Sequence, residues 1–158
     1  INAFVDLMPE DSLKIFDINL RQHYFNEEIV CNSMNKADIL KINDEEIIVV
    51  AEMLNITGKS QKEICEVLLD RFALKMVILT CGDKGSYVLT AQESSWVDTP
   101  KVNVVSTVGA GDSFTGTFIA SILLGKTVRQ AHEAAVRVSA YVCTCQGAMP
   151  AIPQDLLF

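Results

Sequence analysis

Thr107-Val108-Gly109-Ala110-Gly111-Asp112-Ser113-Phe114 is a glycine-rich turn that opens directly into an amphipathic helix. Glycines let the backbone come close to a ligand, and a helix start points N–H groups without intrahelical partners at whatever sits there. The turn therefore reads as an anion hole. The fitting anion is a transferring phosphoryl group, whose charge builds up on non-bridging oxygens and is stabilised by fixed donors. Asp112, at the mouth of the turn, would be held near the attacking hydroxyl and accept its proton. The competing reading makes Asp112 a plain helix N-cap after a glycine turn. The pattern Gly-x4-Gly-Lys-Ser/Thr is absent, which excludes the common P-loop route to the same chemistry.

Downstream, a helix is expected from about Asp112 to Leu124, with Phe114, Phe118 and Ile122 facing the core and Gly125 as its stop. Thr127 with Gln130 starts a last helix whose buried stripe carries Ala131, Ala134, Val138, Val142 and Cys145. Upstream, Met76 to Cys81 is a continuous apolar strand ending at the Gly82-Asp83-Lys84-Gly85 turn. Ser86 to Thr90, Trp96 to Asp98 and Val102 to Val105 read as shorter strands, so the sheet is expected to finish in antiparallel hairpins. Earlier still come a strand over Leu13 to Ile18, a helix from near Asn26, and a strand over Asp38 to Ile42. Asn43 with Glu46 and Ser60 with Glu63 are capping-box signals for two further helices, the second ending near Phe72. Alternating strands and helices predict a mostly parallel sheet covered by helices, in a single domain over residues 1–158.

With 158 residues and 49% apolar composition, the chain can bury roughly two-thirds of the surface its unfolded form exposes. No apolar run approaches the roughly 18 residues of a membrane span, so no membrane partner and a cytoplasmic location are expected. A net charge of −7 and a pI near 4.7 oppose binding to nucleic acid. A polyphosphate still fits where a metal ion and backbone donors offset the charge. Cys31, Cys65, Cys81, Cys143 and Cys145 read as reduced core thiols, with Cys143 and Cys145 on one helix. His23 and His132 read as isolated surface residues. The chain begins at Ile1 and reaches its first strand early, so it reads as entered midway, as a truncated chain or a proteolytic fragment would.

Residues 107–112 resemble the Asp-Thr-x-Gly-Ala-Gly-Asp signature of ribokinase-like (PfkB) carbohydrate kinases. In order along the chain, Asp17-Ile18-Asn19-Leu20-Arg21 is similar to the family's Asp-x-Asn-x-Arg and Lys41-Ile42-Asn43-Asp44-Glu45-Glu46 to its Lys-x-Asn-x-x-Glu. Thr80-Cys81-Gly82-Asp83-Lys84-Gly85 is similar to Thr-x-Gly-x-x-Gly, and Gly147-Ala148 to the C-terminal Gly-Ala loop. The resemblance implies a three-layer α/β/α fold with a mostly parallel sheet and antiparallel strands near one edge. On the same resemblance, the family's N-terminal half and β-lid are expected to be missing from this chain.

It further implies ATP and Mg2+ as cofactors, with Asp112 as base and the Gly109, Ala110, Gly111 and Asp112 amides as the anion hole. Thr80, Gly82, Gly85, Thr107, Gly147 and Ala148 would contact the nucleotide, and Asn43 and Glu46 would orient waters on magnesium. Asp17, Asn19 and Arg21 stand where a parallel strand ends, as ligand-binding residues of open α/β sheets do. With Lys41 they are the candidates for sugar or phosphate, Arg21 against the competing reading of a surface salt bridge. Ser106 replaces the first aspartate of the signature, which helps shape a monovalent-cation loop, so potassium activation stays an open alternative.

The expected activity is ATP-dependent phosphorylation of a sugar hydroxyl, most like a fructokinase. The alternatives are a 2-keto-3-deoxygluconate kinase, a ribokinase or nucleoside kinase of the same fold, and a non-catalytic ATP-binding fragment. Expected partners are ATP, a small sugar, the missing N-terminal half of the kinase, or a second copy in a homodimer.

Overall fold

The computed structural model describes residues 2–22 and 24–157, so the reading of His23 falls outside the described residues. The chain divides into two compact units, Ile1–Thr80 with Leu89–Glu93, and Cys81–Val88 with Ser94–Phe158.

The first unit holds α1 (Asn2–Asp6), β1 (Ile15–Asp17), α2 (Glu27–Lys36), β2 (Ile39–Asn43), α3 (Glu46–Met53), α4 (Gln61–Arg71) and β3 (Met76–Thr80). β1 pairs parallel with β2, and β2 with β3. Ile39 to Ile42 and Met76 to Leu79 are buried at every position, on both faces of the pleat, which explains their nearly unbroken apolar sequence. Val30 and Met34 of α2, Ile47 and Val50 of α3, and Ile64 and Leu68 of α4 complete this core. The helices begin where local chemistry dictates. Asn26 accepts the Ile29 N–H at 2.8 Å, and Ser60 and Glu63 form a reciprocal capping box. At the opposite end of the sheet from the strand C-termini, Asp38 accepts from the Lys14 N–H at 2.8 Å and pairs with Lys75 Nζ at 2.8 Å. Burial alone would raise the Asp38 pKa, but the hydrogen bonds and positive charges of Lys75 and Lys14 outweigh it and hold the carboxyl below its ordinary value.

The second unit holds most of β4 (Ser86–Leu89), then β5 (Ser94–Val97), α5 (Ala110–Leu123), α6 (Val128–Cys143) and α7 (Gln154–Leu157). α5 buries Phe114 and Phe118, whose rings stack at 6.4 Å, while Ile122 is only half-buried. α6 buries Ala131, Ala134, Ala135 and Val138, small side chains that let helices approach closely. Thr127 and Gln130 form its capping box, and Gly125, at φ +78°, closes α5 as expected.

Several expectations are corrected. Val102 to Val105 is not a strand. The amides of Val105 and Ser106 donate to the Cys143 carbonyl at 2.8 and 3.3 Å, pinning this segment to the end of α6, and Val104 is 61% exposed. The second short strand lies at Ser94–Val97 rather than Trp96 to Asp98. α6 ends at Cys143, so Cys145 is off the helix. Among the described residues no disulfide joins the cysteines, and Cys65 and Cys81 are buried while Cys31, Cys143 and Cys145 are half-exposed. His132, read as a surface residue, is 0% exposed. Among the described residues no helix is long and apolar enough to cross a membrane.

Candidate functional site

In the first unit the parallel register sets Asp17 opposite Lys41 and Asn43 opposite Thr80, at the C-terminal ends of β1, β2 and β3. Lys41 is only 8% exposed and donates to Asp17 Oδ1 at 2.9 Å. A nearly buried ammonium has to be paired, so the Asp17 carboxylate is part of what keeps Lys41 there. Beyond β1, Ile18 turns into the core and its N–H donates to the Lys41 carbonyl at 3.0 Å, while Asn19 and Arg21 are exposed. Arg21 Nη2 donates to Asn19 Oδ1 at 3.4 Å.

Asn43 and Glu46 also have local roles. Asn43 Oδ1 accepts from the Glu45 and Glu46 N–H groups at 2.9 and 2.8 Å, capping α3. Glu46 Oε2 accepts the Asn43 N–H at 3.1 Å and Oε1 the Leu20 N–H at 3.2 Å. One N–H on each oxygen fixes the carboxylate and leaves further lone pairs on both. A strongly hydrated cation such as Mg2+ is bound through its waters by such a group, so the residues fit the expected metal role. Thr80 is half-buried, and its carbonyl accepts the Asp44 N–H at 3.0 Å.

In the second unit Gly109 has φ +84°, in the left-handed region, and occupies the N-cap position of α5. A Cβ placed there would lie 2.8 Å from Ala148 Cα. Gly109 therefore rests flat on the Ala148 backbone, and two motifs distant in sequence meet. Gly147, at φ +83°, is exposed with open space around it. Asp112 is the third residue of α5 and exposed, so the plain N-cap reading fails; Gly109 takes that place.

The four-amide hole also needs correcting. The Ala110 N–H donates to the Thr107 carbonyl at 3.2 Å, closing the turn. Gly111 and Asp112 lie in the first helical turn, where backbone N–H groups have no intrahelical acceptor, and Gly109 precedes them. Ser139, unremarked in the sequence, donates to the Ala110 carbonyl at 3.0 Å, as Ser113 does at 2.9 Å. Its signal was a hydroxyl interrupting the small apolar side chains of α6. Ser106 Oγ accepts the Val108 N–H at 3.3 Å and so helps shape the loop itself.

Of the other glycine pair, Gly82 is exposed at φ +57°, and its carbonyl accepts from Thr99 Oγ1 at 2.7 Å. Gly85 is buried. A Cβ on it would meet the Trp96 ring at 2.5 Å and the Val97 carbonyl at 2.6 Å, so its glycine is required by packing.

Residues 11–155 match the pfkB family of carbohydrate kinases. The chain belongs to that family. This pfkB-family chain is 29% identical over 157 residues to a probable fructokinase-3 of Arabidopsis thaliana, covering 92% of this chain and 44% of the relative. Among solved structures, a ribokinase of Thermotoga maritima superposes with a TM-score of 0.81 at 25% identity, over 98% of this chain and 50% of that one. A putative ribokinase II of E. coli, solved in complex with ATP and Mg2+, gives 0.69 at 24%, over 77% and 38%. The ribokinase-like fold expected from the sequence is thereby shown, and the chain spans about half the length of these relatives.

Proposed function

We propose that this chain is the nucleotide-binding, base-bearing part of a kinase that transfers the ATP γ-phosphoryl group to a sugar hydroxyl. The observation that supports it most is the first turn of α5. Gly109 lies flat on Ala148, the Gly111 and Asp112 amides fall in the unpaired first turn, and the Asp112 carboxylate stands exposed beside them. In this reading the Gly109, Gly111 and Asp112 amides stabilise charge on the transferring group, and Asp112 takes the proton of the attacking hydroxyl. Thr80, Gly82, Thr107, Gly147 and Ala148 hold the nucleotide, with Gly85 shaping the turn that carries Gly82. Asn43 and Glu46 orient waters of a magnesium ion, which when bound neutralises phosphate charge. Arg21, backed by Asn19 and by the Lys41–Asp17 pair, meets phosphate or sugar.

A fructokinase-like substrate is the first choice, given the likeness to a probable fructokinase. Most sugar contacts are assigned to a further half of the fold, and a cytoplasmic location accompanies this reading. Exposed Leu123 and Leu124, at 71% and 63%, suit a homodimer as the alternative partner, which sedimentation would reveal. Ser106 brings no carboxylate to the loop, so potassium dependence is not part of the proposal.

Calorimetric titration with ATP, with and without magnesium, tests the site. Binding is expected to require magnesium and to weaken about 10-fold in Glu46→Ala, the loss typical when groups orienting a metal's ligands are removed. Asp112→Asn should bind ATP almost normally yet abolish turnover in the complete enzyme. Full turnover in that variant would remove Asp112 as base, and binding without any turnover in the complete wild-type enzyme would favour the non-catalytic ATP-binding module.

A further inference from the structure

His132 lies on α6 with no exposed surface, although it is polar and stands among alanines. Its Nε2 is 2.8 Å from Ser86 Oγ on β4, and its Nδ1 is 3.0 Å from Ser95 Oγ on β5. Both serines are themselves buried, at 3% and 6% exposure. The ring meets Phe114 of α5 edge-on at 6.0 Å. One side chain thus links both strands of the hairpin to α5.

What those elements carry makes the link consequential. Ser86 directly follows Gly85, so it anchors the end of the Gly82–Gly85 turn. Ser95 precedes Trp96, whose ring packs against Gly85 and stacks at a tilt on Tyr87 at 4.3 Å. Phe114 is the second residue after Asp112 on the same rigid helix. An imidazole offers a hydrogen-bonding atom on each of two sides in a fixed plane, and a hydroxyl rotates to donate or accept as the tautomer requires. Buried polar groups without partners are costly, so all three side chains are held in one arrangement.

We propose that His132 is a positioning residue that sets the Gly82–Gly85 turn and the Gly109–Asp112 turn in fixed register within the second unit. Its functional consequence rests on the ATP-site reading above, whereas its structural consequence does not. The charged groups facing His132 electrostatically are Arg129 and Glu133 on α6 itself, and they pull in opposite directions. The imidazole works as a neutral group at ordinary pH, as a two-sided hydrogen-bonding wedge.

The test compares the wild-type chain with His132→Leu, His132→Gln and Ser95→Ala, each held well below its own melting point. Amide hydrogen exchange is followed segment by segment, alongside ATP–magnesium titration. In His132→Leu, exchange at 82–86 and 107–114 is expected to rise about 10-fold while β2 and β3 stay protected. ATP affinity is expected to fall about 10-fold, the loss of one to two kcal-scale supporting contacts. His132→Gln, with both a donor and an acceptor on its amide, should restore part of both, a rescue that general loss of stability would not produce.

If His132→Leu does not fold, Ser95→Ala answers the question, since it removes one arm only. Unchanged exchange in both turns, or a uniform rise across the second unit, overturns the proposal. Should the wild-type chain fail to bind ATP, the nucleotide reading falls on its own, and the exchange data still decide the role of His132.

Discussion

At the ends of β1 to β3, polar side chains hold one another: Asp17 pairs with Lys41, Asn43 caps the helix that Glu46 begins, and Glu46 reaches back to two backbone amides. In the Thr107–Asp112 turn the arrangement is made by backbone instead, through a left-handed glycine laid against Ala148 and a carbonyl gripped by Ser113 and Ser139. In the first kind of site a solvent-reached member such as Asn43 can be partly replaced by water, although the nearly buried Lys41 still needs Asp17. The second has no such reserve, since a backbone that must lie within van der Waals distance of another backbone leaves no room for a Cβ.

The sharpest way to break that contrast is Gly109→Ala. It combines a left-handed φ with a collision against backbone that cannot swing aside. We expect a loss of about 3 kcal/mol, or roughly 6–12 °C in Tm for a chain of this size, together with loss of ATP binding. Gly147→Ala is the control. It has nearly the same φ but open space, so about 1 kcal/mol is expected. Equal losses in thermal melts of the two variants would mean that φ alone, and not the seat on Ala148, defines the turn.

A second large effect separates the units by pH. Burial first, and the Arg129 charge next, push the His132 pKa down to about 4, with Glu133 acting in the other direction. An unfolded chain takes up this proton near pH 6.5, so between those values the unfolded state binds more protons. The stabilisation is complete above about pH 6.5 and is lost as pH falls towards 4, by about 3 kcal/mol. Urea unfolding at about pH 7, 5.5 and 4.5, values chosen to span that window, would show it. His132→Leu should flatten that window, while Asp38, held below the ordinary carboxylate range by its lysines, titrates lower down.

How far the sequence revealed this molecule depended on the distance between interacting residues. Asn26, Ser60 with Glu63, and Thr127 with Gln130 act within one helical turn, so spacing alone identified them. The glycine-rich turn was legible for the same reason. Val102 to Val105 was misread because alternating valines look alike whether or not a strand lies alongside, and here Val105 and Ser106 bond the Cys143 carbonyl. The partners of His132, Ser86 and Ser95, are far away in sequence, so its burial left one signal only. It stands three and four residues before Ala135 and Val136, on a buried stretch of α6. Gly82 and Gly85 looked equivalent as letters. Only the Trp96 ring against Gly85 assigns packing to one and exposure to the other.

Asn43→Ala probes the side-chain site. It removes the acceptor of two α3 amides, so about 1 kcal/mol of stability should go with it, the usual cost of a lost cap. Glu46 would keep its own bonds to Leu20 and Asn43, whose donors are backbone. A loss several times larger in urea unfolding would mean that Asn43, like Gly109, is a position without reserve, and the contrast between side-chain and backbone sites would weaken.

The smallest expected effect on stability is at Arg21. Its side chain is exposed and its long hydrogen bond to Asn19, at 3.4 Å, is worth little in water. Arg21→Ala should therefore change unfolding free energy by no more than about 0.5 kcal/mol. If Arg21 meets phosphate or sugar, the same variant should raise KM for the sugar or lower kcat in the complete enzyme by about 10-fold or more, since a charge-assisted contact contributes about 1.5–3 kcal/mol. An exposed residue with no stability to lose and a large activity to lose is what a ligand-facing cation looks like. If activity is unchanged as well, Arg21 is a surface residue, and Lys41, held in place by Asp17, is left as the cation at the strand ends.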